Sequence, residues 1–308
     1  KIEALMEYET AGDPMTGLKW TRRTTEKIAR ELANLGGITV SANTVGRILK
    51  ELGYSLRVNH KKITSGTGSE CDAQFRHISA IRNRFSRRGL PVISVDTKKK
   101  ELVGNFKNPG AAWNKQAVAV NDHDFRSQGL GLAVPYGIYD IQANRGSVFV
   151  GASHDTPQFA VSSIEKWWRY DGRRRYSNAK ELLILADCGG SNGYRCRAWK
   201  YELQQFSNRH RIKITVRHYP PGTSKWNPIE HKLFSEISKN WAGRPLDSFA
   251  TIQNYISTTS TTTGLTVKAY IDKKTYAKGI KINVEQMNHI NIKKHKALPN
   301  WNYTFTPA

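Results

Sequence analysis

L-P-V-I-S-V-D-T-K-K-K-E, residues Leu90 to Glu101, is a short β-branched run bounded by Pro91 and closed by a carboxylate, Asp96. A run apolar at nearly every position reads as a strand buried on both faces. Two later segments repeat an acid at the end of a buried element. E-L-L-I-L-A-D, Glu181 to Asp187, is followed by the turn formers Cys188 to Gly193. Y-P-P-G-T-S-K-W-N-P-I-E-H-K-L-F, Tyr219 to Phe234, carries Glu230 in the first turn of a predicted helix. Asp96, Asp187 and Glu230 are expected to meet in space and hold divalent metal ions.

The elements between these acids set the fold class. After the Asp96 strand, Glu101 to Asn105 reads as its continuation or a second strand, and Lys107 to Pro135 as a long irregular excursion. Ile138 to Ile141 and Ser147 to Val150 form a hairpin pattern across Gln142 to Gly146. A helix opening at Thr156, the Asp187 strand, a helix over Arg195 to Asn208 and a strand over Ile212 to Val216 follow. Strand, strand, strand, helix, strand, helix, strand, helix predicts an α/β ribonuclease-H-like fold, a mixed five-stranded sheet with covering helices. Its first and fourth strands lie side by side, and an acid on a covering helix closes the site. Oxygen ligands select Mg²⁺ or Mn²⁺. Two such ions about 4 Å apart activate a water or a 3′-hydroxyl and stabilise the leaving oxygen in an in-line phosphoryl transfer.

Each acid also has a plain structural reading. Asp96 can end its strand by accepting backbone hydrogen bonds, and Asp187 can start an Asx-turn. Asn227 is a good N-cap, Pro228 suits the first helical position, and Glu230 falls where a capping-box acid belongs. His218, Asn227 and His231 are candidates to support the acids. Trp226 is read either as a stacking platform for an unpaired base or as core. Asp155 is a fourth acid, or a cap for the helix at Thr156.

The chain of 308 residues carries 48 Lys and Arg against 25 Asp and Glu, a net charge of +23, which points to a polyanionic partner, nucleic acid first. Its three cysteines, Cys71, Cys188 and Cys196, form no C-x-x-C pair, so neither a disulfide framework nor a zinc cluster is indicated and a cytoplasmic protein is expected. No apolar run reaches the roughly 20 residues that span a bilayer. No membrane partner is expected.

From Thr25 to Leu35 apolar residues recur at Ile28, Ala29, Leu32 and Leu35, and Gly36-Gly37 stops that helix. Ser41 caps a second helix with Val45, Ile48, Leu49 and Leu52 facing inward. The pair is a helix-turn-helix candidate whose second helix is the reader. Asn43, Thr44, Arg47 and Lys50 lie on its outer side, and Arg22, Arg23, Lys61 and Lys62 flank it. With Trp226 these are the candidate DNA contacts. The alternative is a helical hairpin packed on the rest of the chain. The expected domains are an N-terminal helix and linker, shortened at its start, over 1–24, the helix-turn-helix over 25–62 and a linker with connecting helix over 63–89. The ribonuclease-H-like domain spans 90–245, and a basic extension 246–308, with Lys268, Lys273, Lys274, Lys278 and Lys281 among its cations.

The sequence resembles the ISAzo-thirteen-like insertion-sequence transposases, a bacterial DDE family. The likeness runs over nearly the whole chain, through W-T-R-R-T-T-E-K-I-A-R-E-L, S-A-N-T-V-G-R-I-L-K-E-L-G-Y-S-L, V-I-S-V-D-T-K-K-K-E-L-V-G-N-F-K-N, V-P-Y-G-I-Y-D, H-D-T-P-Q-F-A-V, L-L-I-L-A-D-C-G-G-S-N-G-Y-R and H-Y-P-P-G-T-S-K-W-N-P-I-E-H-K-L-F to the closing W-N-Y. N-P-I-E, Asn227 to Glu230, is also similar to the third-acid motif of mariner-like transposases. The resemblance implies that Asp96, Asp187 and Glu230 take the DDE positions and that the early helices bind the element's ends. It implies cleavage at terminal inverted repeats, joining of the freed 3′-hydroxyls to target DNA, and a homo-oligomer on DNA, at the nucleoid when bound. No nucleotide cofactor is expected. A regulator without chemistry and a nuclease that cuts without joining are the alternatives.

Overall fold

The computed structural model describes residues 2, 10–12, 19–21, 24–54 and 69–308, of which 10–12, 19–21 and 69 by backbone alone. Contacts divide the chain into two compact units, Lys1–Ile63 and Thr64–Ala308. Arg22, Arg23, Lys61, Lys62 and most of the helix expected at the start lie outside the described residues.

In the first unit, β1 (Thr10–Gly12) and β2 (Lys19–Thr21) pair antiparallel where the sequence suggested only a linker. Helix α1 (Thr25–Gly36) starts on Thr24, whose side chain accepts from the Lys27 N–H, and stops at Gly37, in the left-handed region at φ 60°. Helix α2 (Ala42–Glu51) starts on Ser41, which accepts from the Thr44 N–H. Ile28, Leu32 and Val45 are buried between them, with Ile48 and Leu49 packed alongside. Leu35 and Leu52, expected inward, are 76% and 39% exposed. Each lies at the C-terminal end of its helix, beyond the contact that Ile28, Leu32 and Val45 make.

The second unit opens with helix α3 (Ser69–Arg87) and is built on one sheet. Its centre is β3 (Val92–Thr97), flanked antiparallel by β5 (Gly131–Asp140) and parallel by β7 (Glu181–Ala186). Strand β6 (Arg145–Gly151) closes a hairpin with β5, and β8 (Lys213–His218) runs parallel to β7. The order β6-β5-β3-β7-β8 is the expected ribonuclease-H-like arrangement. Strand β4 (Glu101–Val103) pairs with β5 off this path.

The sheet does not stop at five strands. Among the described residues it has nine, counting β4, because β9 (Thr266–Asp272) adds parallel to β6, and β11 (Asn302–Phe305) with β10 (Ile292–Lys294) adds beyond β8. Residues 246–308 are therefore not an appended basic extension but both edges of the sheet. Strand β9 alternates, with Val267 and Ala269 buried and Thr266 and Lys268 exposed, so Lys268 lies on the solvent half of an edge strand.

Helices cover both faces. Helices α4 (Pro157–Trp167) and α5 (Arg197–His210) bury Phe159, Ile164, Trp167, Trp199, Leu203 and Phe206 against Ile93, Val95, Ile184, Ile214 and Val216. On the other face Ile78, Ile81 and Phe85 of α3 pack on Val92, Leu183 and Leu185. Beside them a helix over 228–240, ending as α6 (Ser235–Asn240), and α7 (Phe249–Ser257) cover Tyr139, Val148 and Val150. The short α8 (Val284–Asn288) precedes β10. Helix α3, read from sequence as a connector, is thus part of this unit.

A reciprocal amide pair fastens α3 to the sheet. Gln74 donates to Asn302 Oδ1 at 2.9 Å and to the His218 carbonyl at 2.8 Å, and Asn302 donates back to Gln74 Oε1 at 2.7 Å. Both side chains are wholly buried. A Gln74→Ala chain leaves these groups unpaired and is expected to lose about 1–3 kcal/mol. Urea denaturation measures it, and a midpoint equal to wild type at unchanged m-value refutes the fastening role.

Candidate active site

Parallel pairing of β3 and β7 sets Val95 opposite Ala186, so Asp96 and Asp187, the next residue of each chain path, come to the same end of the sheet. Neighbouring strands lie about 4.8 Å apart. Side chains alternate across a strand. Ile93 and Val95, and Ile184 and Ala186, point to the α4/α5 face. Asp96 and Asp187 therefore share the opposite face, where the helix carrying Glu230 lies.

That helix is held by a bond the sequence did not suggest. The Asn227 side chain makes no N-cap, and the capping box expected with Glu230 does not form. Asn227, wholly buried, accepts from Ser94 Oγ and donates to the Val95 carbonyl at 3.4 Å. Ser94 Oγ also accepts from the Ile229 N–H at 3.2 Å. The start of the helix is thereby tied to β3 two residues before Asp96. The helix passes through a π-turn over Glu230–Phe234. Among the described residues the Glu230 carboxylate makes no hydrogen bond.

The three acids are half-buried and press on one another. Burial raises Asp96 well above the ordinary carboxylate range and the charges of Asp187, Glu230 and Asp155 raise it further, against the Thr97 N–H that Asp96 accepts at 2.7 Å. Burial likewise raises Asp187, opposed by hydrogen bonds from the Gly189 N–H and the Asn192 side chain, with Asp155 and Glu230 adding to the rise. Burial raises Glu230, moderated by the charges of His231 and Lys98. Among the described residues Asp187 Oδ1 is buried with no partner. Such an orphaned oxygen among acids calls for a cation.

Asp155 belongs with them. Thr156, not Asp155, caps α4 by accepting from the Phe159 N–H, while Asp155 accepts from Thr97 Oγ1 at 3.1 Å and lies 3.7 Å from Lys100 Nζ. Sequence reasoning missed Tyr136 and Asn192. Tyr136, wholly buried on β5, donates to Asn192 Oδ1 at 2.8 Å, and Asn192 holds Asp187. The G-G-S-N-G turn after Asp187 was the available signal. Lys98 is also buried, paired with Glu101 at 2.8 Å and set 4.4 Å over the Trp241 ring.

His218 is fully buried, bonded through Nδ1 to the Asp187 backbone carbonyl at 2.6 Å and through Nε2 to Tyr303 Oη at 2.6 Å. Burial pushes it down to about 4, so it is neutral and braces the backbone rather than the carboxylate. His231 is exposed and bonds the Lys225 carbonyl. Trp226 is 61% exposed, edge-on to Phe75, and is not core. In the first unit Asn43, Arg47 and Lys50 are exposed and Thr44 is half-buried with its hydroxyl on Ser41.

Among the described residues no group of three or more His, Cys, Asp or Glu side chains is arranged to hold a metal ion unaided. Mg²⁺ is commonly held by one or two carboxylates with substrate phosphate and water, not by an all-protein cage. Two adjacent carboxylates, one with an orphaned oxygen, fit that manner of binding. No helix among the described residues is long and apolar enough to cross a membrane.

The chain matches, over residues 1–307, a family model described as the Rhodopirellula transposase DDE domain. No curated protein matches it. Among solved structures it is similar to the Mos1 transposase paired-end complex with left transposon end, at 14% identity and a TM-score of 0.45, over 83% of this chain and 68% of that one. It is similar in the same way to the Mos1 mariner paired end complex with Mn, at 14% identity and a TM-score of 0.43, over the same shares.

Proposed function

Since the chain belongs to the Rhodopirellula transposase DDE-domain family, we propose that it cuts DNA at the ends of an insertion sequence and joins the freed 3′-hydroxyls to target DNA. What supports this reading is that Asp96 and Asp187 come to the same end of adjacent strands, that the charge of Glu230 helps raise both carboxyls, and that an Asp187 oxygen has no partner among the described residues. Asp96 and Asp187, with Glu230 closing the site, would hold Mg²⁺ or Mn²⁺, which when bound supplies the charge that activates the attacking oxygen and stabilises the leaving one. The protein's own part is positional. Asn227 and Ser94 fix Glu230 against β3, Asn192 and Tyr136 orient Asp187, and Lys98 lends a positive charge beside Glu230.

Incubation of the protein with end-bearing duplex and Mg²⁺ tests the reading. Nicked ends and joined products are expected. Nicking without joining makes the protein a nuclease, and binding without nicking a regulator; either overturns the transposition reading.

DNA gripping is assigned to the outer face of α2. Asn43, Arg47 and Lys50, spaced four and three apart, share one exposed side of it. Among the described residues Arg47 is held only by an exposed pair with Glu51 at 2.8 Å, which contributes little and is easily given up to a phosphate or base edge. Arg47→Ala is expected to weaken binding to the cognate end by about 1–3 kcal/mol. Binding titration at fixed salt measures this, and an unchanged affinity removes α2 from the interface.

A further inference from the structure

Beyond the acids, the second unit buries a cluster of positive and neutral nitrogens with nothing negative among them. Arg217, on β8, is 1% exposed. It donates through Nη1 to the Val216 carbonyl at 2.9 Å, its Nη2 lies 2.9 Å from His295 Nδ1, and its Nε is buried without a partner. Among the described residues it makes no ion pair. His77 of α3 faces it, with its ring 6.3 Å from that of His295 and its Nε2 buried and unpartnered. His295 Nε2 rests on Thr304 Oγ1 at 2.8 Å. Of the four buried side-chain polar atoms left unpartnered among the described residues, two belong to this cluster.

The charges that act on these groups are all positive. Burial and the charge of Arg84 depress Arg217, and burial with Arg217 and Arg84 depresses His77. His295 is pushed down to about 4 by burial and by Arg217, His77, Arg84 and Lys293. Both imidazoles are therefore neutral near pH 7, and a guanidinium stands in the interior with neutral acceptors only. A buried charge without a counter-charge costs several kcal/mol, and proteins pair it as a rule. An anion is the group whose charge would balance it. His77 and His295 are half-buried and Arg84 is exposed, so the cluster opens to solvent on the side of α3.

We propose that Arg217, Arg84, His77 and His295 form a binding pocket for a phosphate group of the nucleic-acid backbone, separate from the acidic cluster. The assignment to nucleic acid rests on the reading of the protein as a DNA-cutting enzyme; the pocket itself does not. Its position suits a second grip on the same strand. Arg217 lies opposite Leu185, which lies opposite Ser94, so it shares the face of Asp96 and Asp187 one pleat below them. It is two strands from β3, about 10 Å across the sheet.

Thermal unfolding of the whole chain in inorganic sulfate against chloride at matched ionic strength tests the pocket. A saturable rise in Tm is expected in the wild type and a smaller one in Arg84→Ala and Arg217→Met. General salting by sulfate acts on all three alike, so the difference isolates the site. Arg84 is exposed on α3, and that variant carries the test if Arg217→Met does not fold. Equal sulfate shifts in the wild type and Arg84→Ala overturn the pocket. Binding of a random-sequence duplex across salt concentrations tests the source of the phosphate, with the slope of log K against log salt expected to fall by about one in Arg84→Ala. An unchanged slope beside a sulfate effect makes the ligand a free anion and overturns the backbone assignment. A wild type that binds no duplex at all defeats the DNA reading above and leaves the sulfate result to judge the pocket.

Discussion

Asp187→Asn is expected to slow Mg²⁺-dependent cutting of end-bearing DNA by at least about 10³-fold, some 4 kcal/mol of activation free energy, with DNA affinity within about twofold of wild type. The substitution keeps the shape of the side chain and removes the charge that a cation needs. The same charge works against folding when no cation is present. A carboxyl whose pKa is raised in the folded state binds its proton more tightly there than in the unfolded chain. Stability is therefore lost as pH rises above the ordinary carboxylate value of 3.8 toward the raised one. The metal-free wild type is expected to fall in Tm between mildly acid and mildly alkaline pH, and Asp187→Asn to fall less. Mg²⁺ or Mn²⁺ should return the lost stability to the wild type at the higher pH and not to the variant. A variant that cuts at the wild-type rate, or that responds to the ion as wild type does, removes Asp187 from the site.

The strand-end positions of Asp96 and Asp187 were legible because each closes a segment with a strong local signature. A β-branched run closed by an acid needs no tertiary information to be read, and the register of β3 with β7 then follows from the order of elements. What decided the third acid was not local. Asn227 has the residue type and position of an N-cap, yet its amide is used by Ser94, more than a hundred residues earlier, and the capping box is lost to that bond. Tyr136 and Asn192 escaped notice for the same reason, since their partnership exists only once β5 and the turn after β7 are side by side. The sheet edges were hidden by charge. The lysines around β9 read as a polar surface, which they are on one side, while Val267 and Ala269 on the other side build the strand. The anion pocket likewise joins α3, β8 and the segment between β10 and β11, none of which carries a motif of its own.

Gly137→Ala is expected to lower cutting by about 10²-fold while leaving α2 untouched, because it moves the helix that carries Glu230. Gly137 lies opposite Asp96 in the β3–β5 ladder. Its φ is not in the left-handed region, so the glycine is there for space and not for backbone freedom. A Cβ at this position would stand 2.5 Å from Phe234 Cε1, 2.8 Å from Phe234 Cζ and 2.9 Å from Ile229 Cδ1. Phe234 is a ring packed in the core and cannot swing aside as an exposed chain end would. Relief must come from the helix, whose first turn holds Glu230 and whose start is pinned by Asn227. Overpacking of this kind costs about 1–3 kcal/mol of stability. A second substitution separates displacement from simple unfolding. Phe234→Leu trims the two closest of the colliding atoms, so Gly137→Ala with Phe234→Leu should cut faster than Gly137→Ala alone, a non-additive result that two independent defects would not give. Strand-nicking rates on the four chains of this cycle, with Tm values alongside, make the measurement. If Gly137→Ala cuts as wild type does, the close approach of helix and strand at this point does not set the position of Glu230.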